Sequence, residues 1–162
     1  MIVVSNATPL ISLAIIRQLR LLQALYGQVH IPPAVYEEVV TKGGGRTGAK
    51  EVAEAEWIVV TDLPETVRGT LQPRPLTLHV GEVETIELAM GLKAGLVVLD
   101  EKLARKVAKG QGLNVIGTVG ILKSANQRGL FSDLRGALDT LRAEGIRIGD
   151  QIYREALGLR KS

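Results

Sequence analysis

An α/β fold, a parallel sheet sandwiched between helices, is what the 162-residue sequence predicts, and three observations predict it. Short apolar runs of strand length recur along the chain: Ile2-Val3-Val4, Val29-His30-Ile31, Trp57-Ile58-Val59-Val60-Thr61, Leu96-Val97-Val98-Leu99 and Leu113-Asn114-Val115-Ile116. Helical patterns separate them, and strands alternating with helices argue for parallel pairing through crossovers, with both sheet faces covered. The stretch from Gly81 to Gly110 is one complete unit: a helix, a buried strand, the acids Asp100-Glu101 at its carboxyl end, and a second helix. Open sheets of this kind carry their sites at that carboxyl edge.

Taken in order, strand Ile2–Val4 runs into Ser5-Asn6-Ala7-Thr8-Pro9, where Asn6 reads as a helix N-cap and Pro9 is tolerated in the first turn. Leu10, Ile11, Leu13 and Ala14 give that helix its apolar face, and a second helix from about Arg17 to Leu25 stops at Gly27. After the strand at Val29, Pro32-Pro33 opens a helix carrying Val35, Tyr36, Val39 and Val40 beside Glu37 and Glu38. Gly43 to Gly48 has the glycine spacing of a phosphate-binding loop, but Ala49 stands where Lys is required and the segment follows a helix, so it reads as a mobile surface loop. Pro64 to Pro75 is turn-rich. Beyond Gly110, Gly117-Thr118 starts a helix through Ala125, Ser132 caps the next, Ile146–Ile148 is extended, and Gly149-Asp150 opens a last amphipathic helix. No linker or repeat interrupts the pattern, so 1–162 reads as a single domain, a length that suits one sizeable core.

Composition narrows the function. The absence of cysteine excludes disulfides, thiolate zinc sites and a cysteine nucleophile, and the two histidines, His30 and His79, read as surface or strand-end residues rather than a metal cluster. Aromatics at 3% argue against a base-stacking platform, whereas a net charge of +3 permits a nucleic-acid partner. Met1 leads straight into a strand with no basic leader, and no apolar run approaches the ~18 residues needed to span a bilayer, so the expectation is a cytoplasmic protein with no membrane partner.

The chemistry that the Gly81–Gly110 unit suits is binding of a hard cation, Mg²⁺ or Mn²⁺, by carboxylate oxygens. Glu82 and Glu84 fall in the first turn of a helix, and Asp100 and Glu101 where a strand meets a loop. The same residues also read as helix-stabilising acids and an N-cap. Arg105, Lys106 and Lys109 on the second helix suit phosphate, and equally a solvated helix face.

Five segments in order, VSNATPLISLA, VYEEV, GEVETIELA, LVVLDEKLARKVA and NVIGTVGILKSANQRG, resemble a PIN-like domain of the VapC-type ribonuclease toxins, in a branch with an S-[DN]-x-[ST]-P-L-I start. The resemblance covers nearly the whole chain. It implies a three-layer α/β/α sandwich with a central parallel sheet, and acids from distant segments that bind Mg²⁺ or Mn²⁺ and cut RNA. Carried over residue by residue, it implies ligand and catalytic roles for Glu38, for Glu82 or Glu84, and for Asp100, with Glu101 beside it. Thr8 matches the small hydroxyl residue near the first acid. That acid itself is replaced: Asn6, which offers a carbonyl oxygen without charge, stands where active members carry Asp. Two functions follow as expectations, a metal-dependent ribonuclease with an altered site or a non-catalytic module that binds RNA or an antitoxin-like protein. A homodimer is a family expectation.

Overall fold

The computed structural model describes residues 1–72 and 74–159; Pro73 of the turn-rich stretch and the last three positions of the expected domain lie outside the described residues. Five strands, β1 (Val3–Ser5), β2 (Val29–Ile31), β3 (Ile58–Val60), β4 (Leu96–Val98) and β5 (Val115–Ile116), form one parallel sheet in the order β3-β2-β1-β4-β5. The expected α/β sandwich with a central parallel sheet is thus the observed fold. The chain first builds leftward from β1 to β3, then crosses to the other side of β1 to lay down β4. That reversal puts a crevice between the carboxyl ends of β1 and β4.

The helices are α1 (Ala7–Ile15), α2 (Arg20–Tyr26), α3 (Pro33–Tyr36), α4 (Ala49–Glu54), α5 (Val80–Leu92), α6 (Lys102–Gly110), α7 (Thr118–Gln127), α8 (Leu134–Ala143) and α9 (Asp150–Ala156). Side chains alternate across each strand, and this divides the core into two layers. Val3, Val29, Ile31, Ile58 and Val98 pack with Leu10, Leu13, Leu22, Ile121 and Leu138 of α1, α2, α7 and α8. Val4, Val97 and Leu99 pack on the other face with Val83, Ile86, Ala104 and Ala108 of α5 and α6. Among the described residues no helix is long and apolar enough to cross a membrane.

Four local expectations are corrected. Asn6 stands at the N-cap of α1, but its side chain makes no cap bond. The cap of α8 is Asp133, whose carboxylate accepts from Gly136 N–H at 3.0 Å, not Ser132. The helix after Pro32-Pro33 does not stay α-helical: Glu37–Thr41 is a π-helical turn, closed by Lys42 N–H donating to the Glu37 carbonyl at 2.7 Å. The glycine loop is also not free of packing, because Gly43 and Gly48 are buried; a side chain at Gly43 would run into the Val39 carbonyl oxygen at the end of that π turn.

Candidate active site

A cleft of ≈ 1450 Å³ opens at the carboxyl edge of the sheet, and residues from four separate segments meet in it: Asn6, Glu38, Glu82 and Asp100. Asn6 follows β1, and its backbone N–H donates to the Val98 carbonyl of β4 at 3.0 Å, which pins the two strand ends together. Its side chain is only 5% exposed. The Asn6 Oδ1 has one long contact, 3.4 Å from Thr85 Oγ1, whose shorter bond of 2.7 Å goes to the Gly81 carbonyl. This buried oxygen is therefore nearly free to accept. Glu38 comes from the π turn, the kind of local insertion that recurs at functional sites. Gly81 lets both oxygens approach the start of α5: a methyl group there would stand 3.1 Å from Glu38 Oε1 and 3.7 Å from Asn6 Oδ1.

Glu82 is 6% exposed, and its Oε1 accepts from the His79 backbone N–H at 3.0 Å, closing the N-terminal turn of α5. Asp100 lies just past β4 and is held from the start of α7: Oδ1 accepts from Thr118 N–H at 2.7 Å and Oδ2 from the Thr118 hydroxyl at 2.6 Å. Gly117 leaves the space for this, since a side chain there would stand 2.9 Å from Asp100 Oδ1 and 2.7 Å from Arg105 Nη1. Arg105 spends one Nη1 bond, 3.1 Å, on the Leu99 carbonyl.

Of the other residues singled out from the sequence, Thr8, Glu101 and Arg105 line the cleft. Glu84 does not; its Oε1 accepts from Ala34 N–H at 3.2 Å and ties α5 to the start of α3. Lys106 and Lys109 lie exposed on α6 outside the cleft lining. Sequence reasoning missed His79, Lys102, Thr118, Lys123 and Arg147, all of which line it. For Thr118 a signal existed, a hydroxyl at the start of a helix directly after a strand. For Arg147, in an irregular connector, there was none.

The donors that converge are all oxygens, the set that Mg²⁺ or Mn²⁺ takes, and the buried Asn6 oxygen with no short partner fits such an ion. The carboxylates themselves are spread: among the described residues no three His, Cys, Asp or Glu side chains gather closely enough to hold a metal ion. Two of them are already engaged, Glu82 with His79 and Asp100 with Thr118.

A comparison with curated proteins found no match. The model of a family described as PIN domain matches residues 2–162. PIN domains are in general nucleases that use divalent metal ions, and the parallel sheet with a cleft at its switch point agrees with that assignment. This chain belongs to the PIN-domain family.

Proposed function

We propose that the chain is a metal-dependent ribonuclease of the VapC toxin type whose centre carries one negative charge fewer than that of active members. The observation that carries this reading is the meeting of Asn6, Glu38, Glu82 and Asp100 in one cleft at the β1–β4 switch point. Glu38, Glu82 and Asp100 are the acids of the centre, Asn6 adds a neutral ligand oxygen, and Glu101 and Thr8 stand at its rim. Glu84 is a structural acid. Asn6, Glu38, Glu82 and Asp100 would hold Mg²⁺ or Mn²⁺, which when bound would polarise a water for attack on a phosphodiester. The chain's own residues orient that centre: Thr118 fixes Asp100, His79 fixes Glu82, and Arg105 and Lys102 offer positive charge to the RNA phosphates. A cytoplasmic homodimer with an antitoxin partner is what the VapC resemblance implies.

A second reading, a non-catalytic module that binds RNA or an antitoxin-like protein, is favoured by the neutral Asn6 and by the wide spacing of the carboxylates among the described residues. Calorimetric titration with Mn²⁺ beside cleavage of a single-stranded RNA separates the two. The nuclease reading expects weak binding in the wild type, tighter binding and faster cleavage in Asn6→Asp, and neither in Asp100→Ala. If Asn6→Asp gains neither metal affinity nor cleavage, the module reading replaces it.

A further inference from the structure

The cleft has a second end that the acids do not reach. It continues past β4 to the edge strand β5, where α7 and α9 line it together with Ile146 and Arg147 of the connector from α8 to α9. Val119 and Lys123, four residues apart, share one face of α7; Ile152 and Glu155 share one face of α9. Ile152 is aliphatic, lies in a concave surface, and is 53% exposed. Lys102, Lys123 and Arg147 line the same cleft, and their side chains make no ion pair or hydrogen bond among the described residues. Burial of core apolar surface does not explain an open Ile152, and surface pairing does not explain three free cations in one concavity. An acidic peptide would satisfy the cations singly. A chain with a charge on every residue and a flat apolar group between charges satisfies both features, because Lys102 and Arg105 continue the positive lining toward Asp100.

We infer that the α7–α9 end is a nucleobase subsite. It seats one base of a single-stranded RNA against the aliphatic lining of Val119 and Ile152, with Lys123 and Arg147 on the adjoining phosphates, while a neighbouring nucleotide reaches the acid end. This rests on the RNA-binding part of the proposed function and adds a position at which sequence is felt. Glu155 has Oε1 engaged by Gln151 Nε2 at 3.0 Å, which leaves its other oxygen to accept from a base N–H.

The test is fluorescence anisotropy with a labelled single-stranded RNA in chelator, so that nothing is cut, and a series in which one base at a time is removed and the sugar-phosphate kept. In the wild type, one position should weaken binding about fivefold when its base is lost, the lower end for base contacts because the walls are aliphatic rather than aromatic. In Ile152→Asp the intact RNA should bind about fivefold more weakly and that position should cease to matter. Val119→Asp, on α7, should do the same. Lys123→Ala should weaken every oligomer alike and lower the salt dependence. Because α9 has no buried residue, Ile152→Asp should leave the circular dichroism spectrum unchanged. Equal losses at every position, or a penalty that survives Ile152→Asp, overturn the subsite and leave this end to a protein segment. If the base-dependent binding holds but the wild type with Mn²⁺ leaves RNA intact, the nuclease reading fails and the subsite stands. If the wild type binds no RNA, both fall.

Discussion

Replacing Thr118 with Val removes the 2.6 Å hydroxyl bond to Asp100 and leaves the backbone bond of 2.7 Å and nearly all of the packing volume. A hydrogen bond to a charged group contributes about 1.5–3 kcal/mol. Asp100 is half-buried and faces an open cleft, so water replaces part of what is lost and the lower end, about 1.5 kcal/mol, applies. For a chain of this length that corresponds to a fall in Tm of about 3–6 °C. An effect of similar size should fall on the ion. An unfixed ligand carboxylate loses its orientation, and outer partners of this kind are worth about tenfold in metal affinity. Thr118→Ser keeps the hydroxyl and gives up one methyl group, about 0.8 kcal/mol, so its Mn²⁺ affinity should stay near wild type. Thermal unfolding followed by circular dichroism, beside Mn²⁺ titration of both variants, checks this. Equal losses of affinity in the Ser and Val variants, or no loss in Val, would refute a positioning role for the hydroxyl.

Glu82 and Glu84 of α5 should part company: Glu82→Gln lowers Mn²⁺ affinity at least about tenfold, as for a ligand or its close support, whereas Glu84→Gln leaves it unchanged and costs about 0.5–1 kcal/mol by weakening the contact with Ala34. Titration and urea unfolding of the pair distinguish them. Gly43→Ala drives a methyl group against the carbonyl oxygens of Val39 and, at 3.0 Å, Glu38, so it should destabilise by about 1–3 kcal/mol and disturb Glu38, read as a lower urea midpoint and weaker Mn²⁺ binding. Burial raises the pKa of Tyr26 above 10.0, more than Arg128 beside it lowers it. The fold favours the neutral phenol, so the stability from that preference is full below pH 10 and is lost as pH rises through the raised value. Urea midpoints across this alkaline range should fall less steeply in Tyr26→Phe than in wild type.

The five strands were legible because each is a short β-branched or aliphatic run that must be buried on both faces, and helices long enough for crossovers lie between them. The convergence of Asn6, Glu38 and Asp100 was legible only through order, since nothing local to any one of them points at the others. Which glutamate of α5 faces the cleft was not. Residues two apart on a helix point about 200° apart, so Glu82 and Glu84 cannot share a face. The rotation that decides between them has no amphipathic signature, because Glu82, Val83, Thr85, Ile86, Glu87, Leu88 and Ala89 are all buried. Glu87 is a third acid on this helix, and its Oε2 accepts from Leu71 N–H at 3.0 Å, a role that depends on where a loop folds back. The π turn escaped for the same kind of reason: Glu37–Thr41 is ordinary helix-compatible sequence, and the widened turn depends on Gly43 admitting the Val39 carbonyl. Asn6 holds the cap position read from the sequence, but its side chain makes no cap bond, because its residue type suits both a helix start and an acceptor pointed elsewhere.

Strand β1 is made first and finished late. One of its edges meets β2 as soon as Val4 can pair with His30, but the other waits for Val98 to reach Ser5. Until β4 has been synthesised that edge of β1 has no partner strand, and an unpaired edge is a template for unwanted pairing with other chains. Closing that edge also brings Asp100 alongside Asn6, and only the next segment, with Thr118, anchors it. Hence the cleft cannot exist on an unfinished polypeptide: a ribosome-bound chain that ends before Thr118 has neither the anchored acid nor the α7–α9 wall.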